Sequence, residues 1–381
     1  LTLCVAQPTL AQTTGPGQSD PAAPARQGDI IVTAPFLQSE ADILQGTSII
    51  SGEELTRELR PTIGETLARQ PGVSATSFGP SASRPVLRGL QGDRIRVLTD
   101  GIGSIDVSNT SVDHAVAIDP LLAQRIEVLR GPSALLFGSS AIGGVVNVID
   151  TRIPRSIPEN GYRVSALGTY GSAANERSGS AAGDVAVGRL VLHADGSYLK
   201  TDDLEIGGHV LSRSAREQAL TQVGLPQDIE PGEDGEPGEA IDFAGNAALR
   251  GRLPNSASKT WSAGAGASLI TDTGHLGVSY SHYDSFYGVP VRYATLIGQE
   301  QEAPRLDIVQ NRVDLRGEVE TGGGFLDKIR VRAGHATYRH FEVEENGEIA
   351  TTFRNNGLEG RLELVQANRD GWQGASGVQY F

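Results

Sequence analysis

The chain has 381 residues, enough for two or three ordinary domains or one large one. A net charge of −14 excludes the basic patch of a nucleic-acid binder and predicts a surface that attracts cations. The single cysteine, Cys4, excludes an intrachain disulfide and a thiolate metal cluster, and no apolar run approaches the roughly 18 residues of a membrane-spanning helix.

The opening LTLCVAQPTLAQ has the form of a secretory-signal tail, with Thr9-Leu10-Ala11 at a plausible cleavage position. Residues 1–11 are therefore read as a signal-peptide remnant of a protein exported in a two-membrane bacterium, its first residues lost. Residues 12–39 form a polar, flexible tail. Within it, Asp29, Ile30, Ile31, Val32, Thr33, Ala34 and Pro35 set four β-prone residues alone in an otherwise unstructured stretch. Such a run cannot build a sheet by itself. It can add a strand to another protein's sheet through main-chain hydrogen bonds, or serve as the first strand of the next domain.

Residues 40–154 predict a compact α+β domain. Ser51-Gly52-Glu53-Glu54 and Thr62-Ile63-Gly64-Glu65 fit capping boxes at the starts of two short helices. Short strands follow at 86–88, 94–99, 125–129 and 145–149, with Asp100-Gly101 and Arg130-Gly131-Pro132 as turns. Between them lies SVDHAVAID, residues 111–119, where Asp113 and His114 stand side by side before an apolar, strand-like run.

From about 160 onward, segments of about ten residues alternate apolar and polar, the pattern of a transmembrane antiparallel β-barrel. Leu190, Leu192, Ala194 and Tyr198 share one face, while His193, Asp195 and Ser197 share the other. His193 is thus expected in a polar lining. Short turns are expected near 187–188, 272–274, 322–324 and 370–371, and long outer loops at 201–258, 287–308 and 345–355. The first long loop carries an acidic stretch over 226–240, whose spacing matches no calcium loop and which is expected to be solvated.

On the segment 328–344, Ile329, Val331, Ala333, Phe341 and Val343 fall on one face. Lys328, Arg330, Arg332, Tyr338, His340, Glu342 and Glu344 fall on the other. Strict alternation sends the first set to lipid and the second to the lumen. His340 and Glu342 therefore point inward, and a domain lodged in that lumen can bring Asp113 and His114 to them. Zinc takes imidazole nitrogen and carboxylate oxygen, usually four in a tetrahedron. By the same alternation His282, Asp284 and His335 point outward.

The motifs resemble those of a known family. DIIVTAP (29–35) resembles the energy-coupling box of TonB-dependent outer-membrane receptors. RPVLRGLQGDRIRVLTDGI (84–102) and IEVLRGPSALLFGSSAIGGVVNVID (126–150) resemble its two most recognisable plug-domain motifs. The resemblance covers residues 29–150 and implies a plug inside a 22-stranded barrel. The 227 residues after 154 supply about nine strands, so the barrel is expected to be incomplete here. SVDHAVAID, YGVP (287–290) and KIRVRAGHATYRHFEVEE (328–345) resemble the zinc-uptake (ZnuD-type) branch. There a plug Asp-His pair joins a wall carboxylate on zinc, which implies Asp113, His114 and Glu342 as ligands. A further histidine ligand of the branch lies beyond this chain, and its histidine-rich outer loop has no counterpart here.

The resemblance implies energy-coupled import across the outer membrane. Zinc, free or chelated, is the transported ion, with no permanently bound cofactor. The TonB protein is the partner at 29–35 and outer-membrane lipid the surroundings. An iron-siderophore or haem cargo on the same architecture is the alternative, and a passive surface or adhesin barrel the second. No nucleophile–base arrangement suggests an enzyme.

Overall fold

The computed structural model describes residues 47–227, 240–369, 372 and 374–381. The signal remnant, the tail with its 29–35 segment, and the acidic residues from Asp228 to Glu239 lie outside the described residues.

The first part is a small mixed domain. In order it runs β1 (Ser48–Ser51), α1 (Gly52–Glu58), α2 (Ile63–Leu67), β2 (Val73–Ala75), β3 (Pro85–Leu87), β4 (Ile95–Thr99), β5 (Ile102–Gly103), β6 (Arg125–Leu129) and β7 (Gly144–Ile149). Five strands pair in the order β1-β6-β7-β4-β5, and only β4 and β7 are parallel. All six residues of β7 are buried, as expected of a strand covered on both faces. One face packs Ile126, Val128, Val146 and Val148 against Leu55, Ile63 and Leu67 of the helices. The other packs Leu129 and Val145 against Leu98 and Phe137. Thr62 caps α2 as its pattern predicts, accepting the Glu65 N–H at 3.3 Å. The Ser51 side chain makes no cap hydrogen bond to α1, although its backbone is as extended as that of Thr62.

Residues 111–119 do not form the strand their pattern suggested. Two of their backbone donors go to side chains instead. The Ala115 N–H meets the Tyr287 hydroxyl at 2.8 Å and the Ala117 N–H meets Asp106 Oδ2 at 3.1 Å. The segment is held as a loop by groups distant in sequence, which periodicity does not report.

The second part is a nine-stranded antiparallel sheet. It comprises β8 (Tyr162–Gly171), β9 (Glu176–Val187), β10 (Leu190–Thr201), β13 (Ser258–Thr271), β14 (Gly274–Gly288), β15 (Arg305–Glu320), β16 (Leu326–Val343), β17 (Ile349–Gln366) and β18 (Ala375–Tyr380). The outer connection from β10 to β13 holds β11 (Glu205–His209), α3 (Arg213–Leu220), α4 (Phe243–Ala248) and β12 (Arg250–Arg252). Phe243, Ala219 and Ala247 pack there with Ala294 of the next outer loop. Leu190, Leu192, Tyr198, Leu276, Val278, Val313 and Leu315 are exposed on the outer face. His193, Ser197, Gln310, Arg312, Asp314 and Arg316 are buried on the inner one. This is the alternation of a barrel wall with a polar lumen. His335 is exposed on the outer face, and His282 stacks on Trp261 there at 4.7 Å between ring centroids. The loop expected at 345–355 is instead a short connection, because β17 begins at Ile349 and pairs with β16 from Val343.

The first domain is seated on the inner face of this wall. Arg316 of β15 lies between Asp100 and Asp150, touching Asp100 and 3.1 Å from Asp150. Arg152 pairs with Asp195 of β10 at 3.0 Å, and Arg96 with Glu359 of β17 at 2.8 Å. Gly266 lets the chain pass close to the wall, since a Cβ there would overlap the Arg152 carbonyl oxygen. Burial pushes the Asp150 carboxyl up, but Arg316 and Arg152 outweigh it and hold it below the usual range. A lowered folded value gives a contribution fully present above the unfolded value of about 3.9 and lost as pH falls below it toward the folded one.

Removing one member of a buried ionic group strands the others, at a cost of about 3–5 kcal/mol. Arg316→Met is therefore expected to lower the denaturant midpoint of the detergent-solubilised protein clearly. Arg316→Lys should keep part of the loss from appearing. An unchanged midpoint in Arg316→Met contradicts a supporting role for this network.

Candidate metal centre

The site forms where one loop of the first domain meets β16. That loop is tied at its base by Asp106. Its Oδ1 accepts the Ser108 N–H at 3.1 Å and the Ser108 hydroxyl at 2.7 Å, and its Oδ2 accepts the Ala117 N–H. An aspartate two residues before a serine is the sequence pattern of such a turn. Higher up, the Tyr287 hydroxyl of β14 accepts the Ala115 N–H and donates to the Asp113 carbonyl at 2.9 Å. One wall hydroxyl thus grips the backbone on both sides of His114.

His114 is completely buried. Its Nδ1 lies 3.1 Å from the Val107 carbonyl oxygen and 3.0 Å from Thr110 Oγ1. The Thr110 hydroxyl already donates to that same carbonyl at 2.7 Å. Both neighbours of Nδ1 therefore accept, and Nδ1 carries the proton. Nε2 then faces Glu342 Oε1 at 3.1 Å. An imidazole lone pair and a carboxylate oxygen at that distance repel each other unless a cation lies between them. Either a proton sits on Nε2, giving an imidazolium, or a metal ion bridges the pair.

Alternation along β16 brings a second imidazole to the same point. His340 is fully buried, and its Nε2 lies 4.0 Å from Glu342 Oε1 with no hydrogen-bond partner. Its Nδ1 is 2.9 Å from the Tyr338 hydroxyl. A proton on Nδ1, donated to Tyr338, leaves Nε2 bare, the form that binds metal. The ring stacks on Phe353 of β17 at 4.5 Å and meets the His114 ring edge-on at 4.5 Å. One ligand atom each from His114, His340 and Glu342 fall within 4.8 Å of one another. A tetrahedral zinc ion with bonds of about 2.0–2.2 Å holds its ligand atoms about 3.4 Å apart, so the widest pair must close by up to about 1.4 Å.

The structure rearranges the sequence-based ligand set. His114, His340 and Glu342 come together; Asp113 does not join them. Its carboxylate accepts from Ser111 and lines an adjoining cavity with Glu342. The resemblance paired Asp113 with His114 as ligands, but Asp113 lines the cavity while His114 lies in the buried cluster. Tyr287, Thr110, Asp106 and Phe353 were not singled out as positioning groups, and only Asp106 carries a local signal. His193 is not an idle lining residue: it bridges Asp184 at 2.6 Å and Asp195 at 3.1 Å. The 29–35 segment lies outside the described residues.

Residues 39–145 match the family described as the TonB-dependent Receptor Plug Domain. The fold is similar to the copper transporter OprC, with a TM-score of 0.63 and 17% identity over 87% of this chain and 45% of that one. It is similar to a mutant ferric enterobactin receptor, PfeA, of Pseudomonas aeruginosa, with a TM-score of 0.54 and 16% identity over 88% and 49%. The siderophore receptor PirA of Acinetobacter baumannii gives 0.50 and 15% over 88% and 56%. The chain spans about half the length of these solved structures, and identities this low make the likeness one of fold. The first domain thus matches the TonB-dependent receptor plug family over residues 39–145 and is seated against the inner face of a nine-stranded antiparallel sheet.

Proposed function

We propose that this chain belongs to an energy-coupled outer-membrane importer of a divalent metal ion, with zinc as the cargo. His114 and His340 supply imidazole nitrogen and Glu342 supplies carboxylate oxygen. The observation that carries this reading is His114 Nε2 at 3.1 Å from Glu342 Oε1 beside an unpartnered, buried His340 Nε2. Two imidazoles and a carboxylate are the donor set of three-ligand zinc sites. The chain has no methionine, so it offers no thioether to a softer ion such as Cu(I).

The division of ligands suits transport. One comes from the plug and two from the wall. Movement of the plug by a TonB-type partner at residues 29–35 pulls His114 away from His340 and Glu342, and the ion loses coordination. The Tyr287 clamp fixes where that separation must begin. A siderophore cargo fits the same architecture, and a copper cargo fits that of OprC; the donor set favours a borderline ion.

Calorimetric titration of the purified protein with zinc tests the ligand set. His114→Ala and His340→Ala are each expected to weaken binding by 100-fold or more. Tyr287→Phe keeps the ring but frees the loop, and an outer-shell loss of about 10–100-fold is expected. Wild-type affinity retained in both histidine variants contradicts the assignment. Deleting residues 29–35 should abolish uptake of zinc by cells while leaving binding to the purified protein intact. Unchanged uptake would point to a passive pore or surface protein.

A further inference from the structure

Beside the ligand set lies a cavity of about 590 Å³. Its wall contains Asp113, Glu302, Glu342, Glu344 and Glu345, and no lysine, arginine or histidine. Glu302, Glu344 and Glu345 are exposed, and none is among the ion pairs of the described residues. An adjoining cavity of about 640 Å³ shares Asp113 and Glu302 and adds one carboxylate, Glu65, and one cation, Arg292. The combined surface remains acidic. Glu342 belongs to both the cavity and the buried cluster, where the unpartnered His340 Nε2 stands 4.0 Å from its Oε1. The acidic wall therefore leads to a buried donor with nothing to bind among the described residues.

We propose that this cavity is an electrostatic antechamber that selects a hydrated divalent cation over the same metal held in an anionic chelate. The inference rests on the metal reading above and specifies the form in which the ion arrives. A cleft lined by one sign of charge focuses its field and raises the local concentration of the opposite sign, speeding association by about 10–10³. At about 30 Å³ per water, an ion with six waters needs roughly 200 Å³, so the cavity admits it without stripping. The carboxylates then act through the field and need not coordinate. An anionic chelate meets repulsion from the same wall and finds no cationic group on it.

The test is stopped-flow association of zinc with the purified receptor at low and high ionic strength. It compares wild type with the triple variant Glu302→Gln, Glu344→Gln, Glu345→Gln, none of which is a proposed ligand. The variant is expected to associate about tenfold more slowly at low salt and to lose most of the salt dependence, with its dissociation rate unchanged. Zinc offered as its anionic nitrilotriacetate complex should associate more slowly than aquo zinc with wild type, and the variant should narrow that gap. Equal rates and equal salt dependence, with zinc still bound tightly by both proteins, overturn the antechamber while leaving the ligand set standing. Absence of zinc binding to wild type removes the ligand set and this inference together.

Discussion

The site depends on one forced contact across the plug–wall boundary. Val107 and Thr110 fix the proton of His114 on Nδ1, so its other nitrogen confronts the Glu342 carboxylate at 3.1 Å. Buried groups of this kind are stable only when their hydrogen-bonding and charge are satisfied. The pair therefore demands a positive charge between its members. A proton meets that demand, and so does a metal ion, for which the unpartnered His340 Nε2 stands 4.0 Å from Glu342. The plug and wall share a centre whose occupancy bears directly on how firmly they hold together.

Everything around this contact limits where the plug can sit. Arg316 lies between two plug aspartates, Arg152 reaches Asp195, and Arg312 donates to the Gly103 carbonyl at 2.7 Å. Glycines on the wall remove the side chains that would otherwise hold the plug away. The result is a tightly seated interface of buried ionic groups with one apolar patch, where Ala115 and Ala117 meet Tyr287, Leu306 and Ile308. Buried ionic groups add little net stability, yet they penalise misplacement heavily. Such an interface holds the plug in one register against the wall. Two apolar clusters lie inside the plug and one in the small unit of the outer loops, while a fourth joins Ala82, Ala115 and Ala117 of the plug to Tyr287, Leu306, Ile308 and Tyr338 of the wall.

Much of the architecture was legible in the residues. A period of two over long segments gave the inward and outward faces of the wall, including the inward pair His340 and Glu342 and the outward His282 and His335. Nine wall strands emerge from the same counting. What sequence could not give were contacts made by single side chains across hundreds of positions. Tyr287 grips the loop at Asp113 and Ala115, and no local pattern announces it. That grip holds 111–119 as a loop in place of the expected strand, with Asp113 at the cavity and His114 in the buried cluster. The loop expected over 345–355 failed for a related reason: polar residues there face outward or the lumen as part of β17, and polarity alone resembled a loop.

The central claim is that His114, His340 and Glu342 close on one ion between plug and wall. Crystals of the protein soaked in zinc, with anomalous diffraction recorded at the zinc edge, test it most directly. The account predicts the strongest peak about 2.0–2.2 Å from Nε2 of both histidines and from a Glu342 oxygen. A peak confined to the exposed glutamates, with His114 hydrogen-bonded straight to Glu342 and nothing between them, would contradict it.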